Sequence, residues 1–202
     1  RKILYCVSSR STKGRANSLF GIRLIYLRKK RSDMEDFMEF NNTLSYYNSN
    51  AQAFVEGTVN VDISKNQAIF LSKLPSHATI LDFGCGSGRD TKYFLERGYN
   101  VEAIDGSVEL CKLASEYTGI TVKTMFFHEL KEVNKYNGIW ACSSILHLPV
   151  KELADIMRAM VTALKSNGII YTSFKYGTFS GERNGRFFTD MTEDTFAEFL
   201  KN

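Results

Sequence analysis

Ile80-Leu81-Asp82-Phe83-Gly84-Cys85-Gly86-Ser87-Gly88-Arg89-Asp90 is the stretch that decides how the rest of this chain is read. A short apolar run breaks into three glycines and enters a helical pattern that stops at Gly98, a good C-cap. Lacking a Cβ, the glycines let the backbone turn tightly and let a ligand approach closely, and the following helix presents unpaired N–H groups. The spacing separates the ligands such a loop can hold. A dinucleotide fingerprint is G-x-G-x-x-G and seats a pyrophosphate, and a phosphate loop needs G-K-[ST]. Here the pattern is G-x-G-x-G followed by Arg89, with Asp82 two residues before the first glycine. A carboxylate there repels a pyrophosphate but organises the loop and attracts an ammonium group. Capping the next helix is the plainer role for it.

Outward from the loop, strand and helix alternate. Strand patterns fall at 100–105, 120–127, 137–145 and 168–174. Helical patterns fall at 107–117 and at 150–165, the latter ending near Asn167–Gly168. Before the loop, helices are expected within 33–53, where Phe37, Phe40, Leu44 and Tyr47 recur at helical spacing. Another, capped by Asp62 or Ser64, should run through Ile69 and Leu71 and stop before Pro75. Thr192 or Asp194 starts the last helix. This alternation implies an α/β fold with a doubly wound, mostly parallel sheet covered on both faces. No strand pattern follows the last helix, so the sheet is expected to be truncated at its C-terminal edge.

Composition bounds the rest. Of 26 Lys and Arg in the 202 residues, ten lie in 1–31, which holds no Asp or Glu; 16 basic against 22 acidic residues remain in 32–202. That acidic body argues against nucleic acid as its partner. Residues 1–33 are set apart as a basic segment and 34–202 as the domain proper. The segment reads as an import peptide, the tail of an upstream region, or a basic arm, with Met34 opening an acidic MEDFMEF. The cysteines Cys6, Cys85, Cys111 and Cys142 form no C-x-x-C pair and no zinc-like cluster, so no metal is expected; reduced thiols suit a cytoplasmic protein. No apolar run approaches the roughly 18–20 residues that span a bilayer.

Asp105 ends the second strand of the alternation, where a carboxylate can accept hydrogen bonds from both hydroxyls of a ribose; a turn residue before Gly106 is the alternative. Loop, strand order and Asp105 together call for an adenosine-bearing ligand with a cationic amino-acid end, a description that S-adenosylmethionine meets.

The chain resembles the bacterial class I methyltransferases of the small-molecule or tellurite-resistance-like kind. The matching stretches are LDFGCGSGRD (81–90), VEAIDGS (101–107), YNGIWACSSILHLP (136–149), LKSNGIIYTSFKYG (164–177) and GERNGRFFTDMTEDTF (181–196). The resemblance implies a Rossmann-like methyltransferase fold and transfer of a methyl group from S-adenosylmethionine, leaving S-adenosylhomocysteine, to a small-molecule acceptor. A non-catalytic cofactor-binding module, or a protein or RNA methyltransferase, is the alternative. It also implies roles for residues. Asp82, Gly84, Cys85, Gly86 and Gly88 would line the methionine part, and Asp105 would hold the ribose with Gly106 and Ser107 beside it. Phe126 and Phe127 would meet the adenine, where wider relatives carry an acid. Cys142 would border the methyl group, although a buried thiol is the plainer reading.

His147 follows the fourth strand at the carboxyl edge of the sheet and is the candidate general base, or else a packing histidine. Tyr46 and Tyr47 are candidates to lid the pocket on the substrate side, or simply to pack. Arg183 and Arg186 are candidates to bind an anionic acceptor, or to lie in a solvated loop.

Overall fold

The computed structural model describes residues 2–8 as a strand and residues 42–201 in full. The strand β1 is Lys2–Ser8, and helix α1 is described over 42–49. There follow α2 (Ala51–Thr58), α3 (Ser64–Leu71), β2 (Thr79–Phe83), α4 (Arg89–Leu95), β3 (Asn100–Asp105), α5 (Val108–Thr118), β4 (Lys123–Thr124) and β5 (Tyr136–Cys142). The chain continues through α6 (Val150–Ala163), β6 (Leu164–Lys175), β7 (Ser180–Arg183), β8 (Arg186–Thr189) and α7 (Glu193–Phe199).

The main sheet runs β1-β6-β5-β2-β3-β4. Five of its strands are parallel, and β1 lies antiparallel to β6, pairing Lys2 with Lys175 through Ser8 with Ile169. The edge expected to be open is thus occupied by a strand from the basic segment.

Side-chain alternation along the strands builds a core on each face. Leu81 and Phe83 of β2 and Ile139 of β5 point toward Leu153, Met160 and Phe196 of α6 and α7. Ile80 and Trp140 point the other way, against Phe70 of α3 and Phe94 of α4. Trp140 stacks on Tyr171, ring centroids 3.6 Å apart, and its Nε1–H donates to Asp90 Oδ2 at 2.8 Å. Asp90 also accepts from Gln67 and from Arg89, so this buried carboxylate ties α3, α4 and β5 together.

Besides β1, and β6, which starts at Leu164 where the helix pattern still ran, three elements near the carboxyl edge differ from the sequence reading. The strand expected over 120–127 is only Lys123–Thr124, because it pairs on one side alone and the Phe126 N–H turns to Glu129 Oε2 at 2.7 Å. The fourth strand stops at Cys142, since Ser143 takes a positive φ of 54° and the Ser144 hydroxyl donates to the Phe83 carbonyl at 2.6 Å. The segment 181–186 is a hairpin rather than an open loop. Asn184 and Gly185, both at positive φ, form its two-residue turn between Arg183 and Arg186. The caps follow their residues: Ser107 Oγ accepts the Leu110 N–H at the start of α5, and Thr192 Oγ1 accepts the Thr195 N–H at the start of α7.

Candidate active site

The order of the parallel strands reverses between β2 and β5, the place where open α/β sheets bind ligands at the carboxyl ends of their strands. A cavity of about 270 Å³ opens there. Its floor is the glycine loop after β2. Gly84 and Cys85 both donate their N–H groups to the Ile104 carbonyl, at 3.0 and 2.9 Å, which folds the loop back over β3. A Cβ on Gly84 would lie 2.5 Å from Ser144 Cβ, and one on Gly106 would lie 2.8 Å from Leu44 Cδ2, so both walls approach as closely as glycine allows.

Asp105 sits in this wall with both carboxylate oxygens engaged. Oδ2 accepts the Gly86 N–H and Oδ1 the Ser107 N–H, each at 2.9 Å. It therefore clamps the glycine loop to the start of α5 and still has lone pairs for ligand hydroxyls. Burial pushes its carboxyl up, opposed by those backbone donors. Beside it Leu110, Met125, Phe126 and Phe127 make an apolar wall, and Cys142 and Ser143 border the centre.

At the far end stand Tyr47, His147, Phe188, Lys175 and Arg186, with α1 and α2 as a roof. His147 Nδ1 lies 2.6 Å from the Phe187 carbonyl, which can only accept, so Nδ1 carries the proton. In the neutral ring Nε2 is then bare and accepts the Tyr47 hydroxyl at 2.8 Å. Burial, with Arg186 and Lys175 nearby, lowers the His147 pKa to about 4, against the pull of the Phe187 carbonyl. Burial raises the Tyr47 phenol, and the Arg186 guanidinium beside it opposes that rise.

Of the residues singled out in the sequence, Gly84, Cys85, Gly86, Asp105, Gly106, Phe126, Phe127, Cys142, Tyr47, His147 and Arg186 line one cavity. Five do not. Asp82 is 1% exposed and lies behind the loop, accepting the Thr91 hydroxyl at 2.6 Å. Burial and the charge of Asp90 push its carboxyl up to about 8, so it is not a free anion waiting for an ammonium group. Gly88 faces α5, where a Cβ would meet Thr118. Ser107 turns to Asn48 at 2.7 Å. Tyr46 lies under Arg186, and Arg183 is bound to Asp190 at 2.6 Å.

Sequence reasoning passed over Arg89, Asp90, Phe54, Lys175 and Phe188, all on the cavity wall. The Arg-Asp pair directly after the last loop glycine was a visible signal. Lys175, at the end of a strand, was visible too, because the carboxyl ends of strands form such sites.

The description of a methyltransferase domain fits residues 80–168. The chain is 25% identical over 134 residues to a Bacillus subtilis (strain 168) protein named as a methyltransferase, YqeM, covering 61% of this chain and 53% of that protein. The chain thus spans about half the length of that relative. It is also 25% identical over 147 residues to an uncharacterized methyltransferase of Staphylococcus carnosus (strain TM300), covering 68% and 71% of the two chains. Among solved structures it resembles the Burkholderia thailandensis 1,6-didemethyltoxoflavin-N1-methyltransferase, with a TM-score of 0.63 at 22% identity over 92% of this chain and 80% of that one. These matches make the chain similar to the class I S-adenosylmethionine-dependent methyltransferases in sequence and in fold. Solved structures of the same fold hold S-adenosylhomocysteine, as in the Burkholderia thailandensis enzyme, or S-adenosylmethionine. No helix among the described residues is long and apolar enough to cross a membrane.

Proposed function

We propose that this chain moves the methyl group of S-adenosylmethionine to a small-molecule acceptor by in-line displacement. The observation that carries the reading is the continuity of the cavity from the glycine loop and Asp105 to the Tyr47–His147 pair. The residues fit the cofactor along its length. Asp105 would accept the ribose hydroxyls, Phe126 and Phe127 would flank the adenine, and the backbone of Gly84, Cys85 and Gly86 would border the methionine part. Arg89, at the loop end of the wall, would face its carboxylate. The bound cofactor supplies an electrophilic methyl group on a sulfonium.

What the chain adds is position and a route for a proton. The Tyr47 hydroxyl can pass its proton to Nε2 of His147 and take one from the acceptor in the same movement. A histidine held near pKa 4 accepts that proton only once the acceptor has become acidic on gaining the methyl group.

The size of the cavity and the acidic balance of 32–202 favour a small acceptor over a nucleic acid. That a protein of this fold is named for methylating a small heterocycle agrees with this. The tellurite-resistance-like methyltransferases remain the kind it resembles in motif, and the free thiols of Cys85, Cys111 and Cys142 suit the cytoplasm.

Calorimetric titration with S-adenosylhomocysteine, beside an Asp105→Ala variant whose fold is checked by circular dichroism, tests the cofactor half. Saturable micromolar binding that the variant loses is expected. A folded chain that binds none would refute the transfer reading and leave a non-catalytic module.

A further inference from the structure

The charges around the cavity are unevenly balanced. At the loop end Arg89 is neutralised by Asp90, with bonds of 2.8 and 2.9 Å, and Asp105 is the other acid of the wall. At the far end Lys175 and Arg186 both line the cavity, and among the described residues neither forms an ion pair. Arg183, their neighbour on the hairpin, already has Asp190.

The two cations converge on one ring. Lys175 Nζ lies 4.3 Å and Arg186 Cζ 5.3 Å from the centroid of Phe188. Arg186 is further held over Tyr46 at 4.3 Å and Tyr47 at 5.7 Å, so its plane is fixed by aromatic faces rather than by a carboxylate. Its Nε is buried and finds no hydrogen-bond acceptor among the described residues. A buried donor left unpaired costs free energy. An oxyanion entering the cavity beside Arg186 would accept from that donor and be attracted by the two cations that line it. The aromatic faces of Phe188 and Tyr47 beside it suit the ring or chain that carries the oxyanion.

We propose that Lys175 and Arg186 form the seat for an anionic group, a carboxylate or similar oxyanion, on the methyl acceptor. The proposal rests on the transfer reading above and narrows it to anionic acceptors. The seat adjoins the Tyr47–His147 pair, so an acceptor anchored by its oxyanion presents its remaining nucleophile beside the proton route. It also separates the two ligands by charge: the cofactor's amino-acid end faces Arg89 and Asp90, and the acceptor's anion faces the unpaired cations.

The test titrates benzoate and its neutral analogue benzamide into the full chain, with and without saturating S-adenosylhomocysteine, for wild type, Lys175→Met, Arg186→Met and Arg186→Lys. Benzoate is expected to bind once per chain and at least tenfold more tightly than benzamide. Lys175→Met and Arg186→Met should each weaken benzoate about tenfold or more, with Arg186→Lys intermediate. Affinity for S-adenosylhomocysteine should stay within twofold in Lys175→Met, whose side chain is exposed and carries no core. Equal binding of benzoate and benzamide overturns the proposal. So does undiminished benzoate binding by folded Lys175→Met and Arg186→Lys proteins, and so does no benzoate binding at all. Because benzoate is also titrated without cofactor, a chain that takes benzoate but no S-adenosylhomocysteine would sink the transfer reading while leaving the anion seat in place.

Discussion

Substituting alanine at Gly84 and at Gly119 separates backbone strain from crowding. Both glycines hold positive φ, 83° and 78°, a region that costs an L-residue about 1–2 kcal/mol. A Cβ at Gly119 would meet nothing within 4 Å, whereas at Gly84 it would lie 2.5 Å from Ser144 Cβ and 3.1 Å from Ser144 Oγ. Ser144 cannot step aside freely, because it is buried and its hydroxyl is committed to the Phe83 carbonyl. Forcing an extra carbon into a packed site adds about 1–3 kcal/mol. Gly119→Ala should therefore cost about 1–2 kcal/mol and Gly84→Ala about 2–5 kcal/mol. Urea unfolding followed by far-ultraviolet circular dichroism measures both. Calorimetry with S-adenosylhomocysteine adds a second readout, expected to fall at least tenfold for Gly84→Ala, on the cavity wall, and to stay unchanged for Gly119→Ala. Equal destabilisation of the two variants would refute the crowding argument.

Asp82, pushed up to about 8 by burial and by Asp90, favours the folded state while protonated. That contribution is complete below the unfolded value of about 3.9 and is lost as pH rises toward 8. Asp82→Asn should flatten the decline in urea stability between about pH 5 and 8, and a variant that declines as steeply as wild type would refute the assignment. His147 runs the opposite way. Its depressed pKa of about 4 supports folding fully above the unfolded value of about 6.5 and ceases to as pH falls through 4. Nitrogen-15 spectra of the ring should show a neutral Nδ1–H tautomer at about pH 5.5, and an imidazolium there would contradict the geometry. Trp140→Phe removes the indole donor to Asp90; a bond to a charged acceptor is worth about 1.5–3 kcal/mol, and an unchanged urea midpoint would show that Arg89 and Gln67 hold Asp90 unaided.

Much of the fold was legible because its signals are local. The glycine loop, Asp105 and the alternating apolar runs each declare themselves within a dozen residues, and the parallel order follows from the alternation. The features that stayed hidden depend on partners distant in sequence. Thr124 to Phe127 look as apolar as a strand, yet only a second neighbouring strand would have extended β4 beyond Thr124. Lys2–Ser8 has no local sign of its place, since its partner is β6. Asp82 shows the same limit in the site: the motif marks it as important, but only packing reveals that it faces Thr91 rather than the cavity. The hairpin was a different kind of omission, because Asn184-Gly185 is a local turn signal that the glycine-rich composition around it obscured.

The pairing of β1 with β6 has a consequence for the order in which the molecule comes together. Lys2 meets Lys175, so the contact spans most of the chain, and the entropy of closing so long a loop must be met before the ladder returns any stability. On the ribosome β1 emerges before β6 and must wait for it. Until they meet, both carry a row of unpaired backbone groups, and β6 presents an open edge that a strand from another molecule can occupy. Slow, concentration-sensitive refolding is the behaviour such a late-closing edge brings with it.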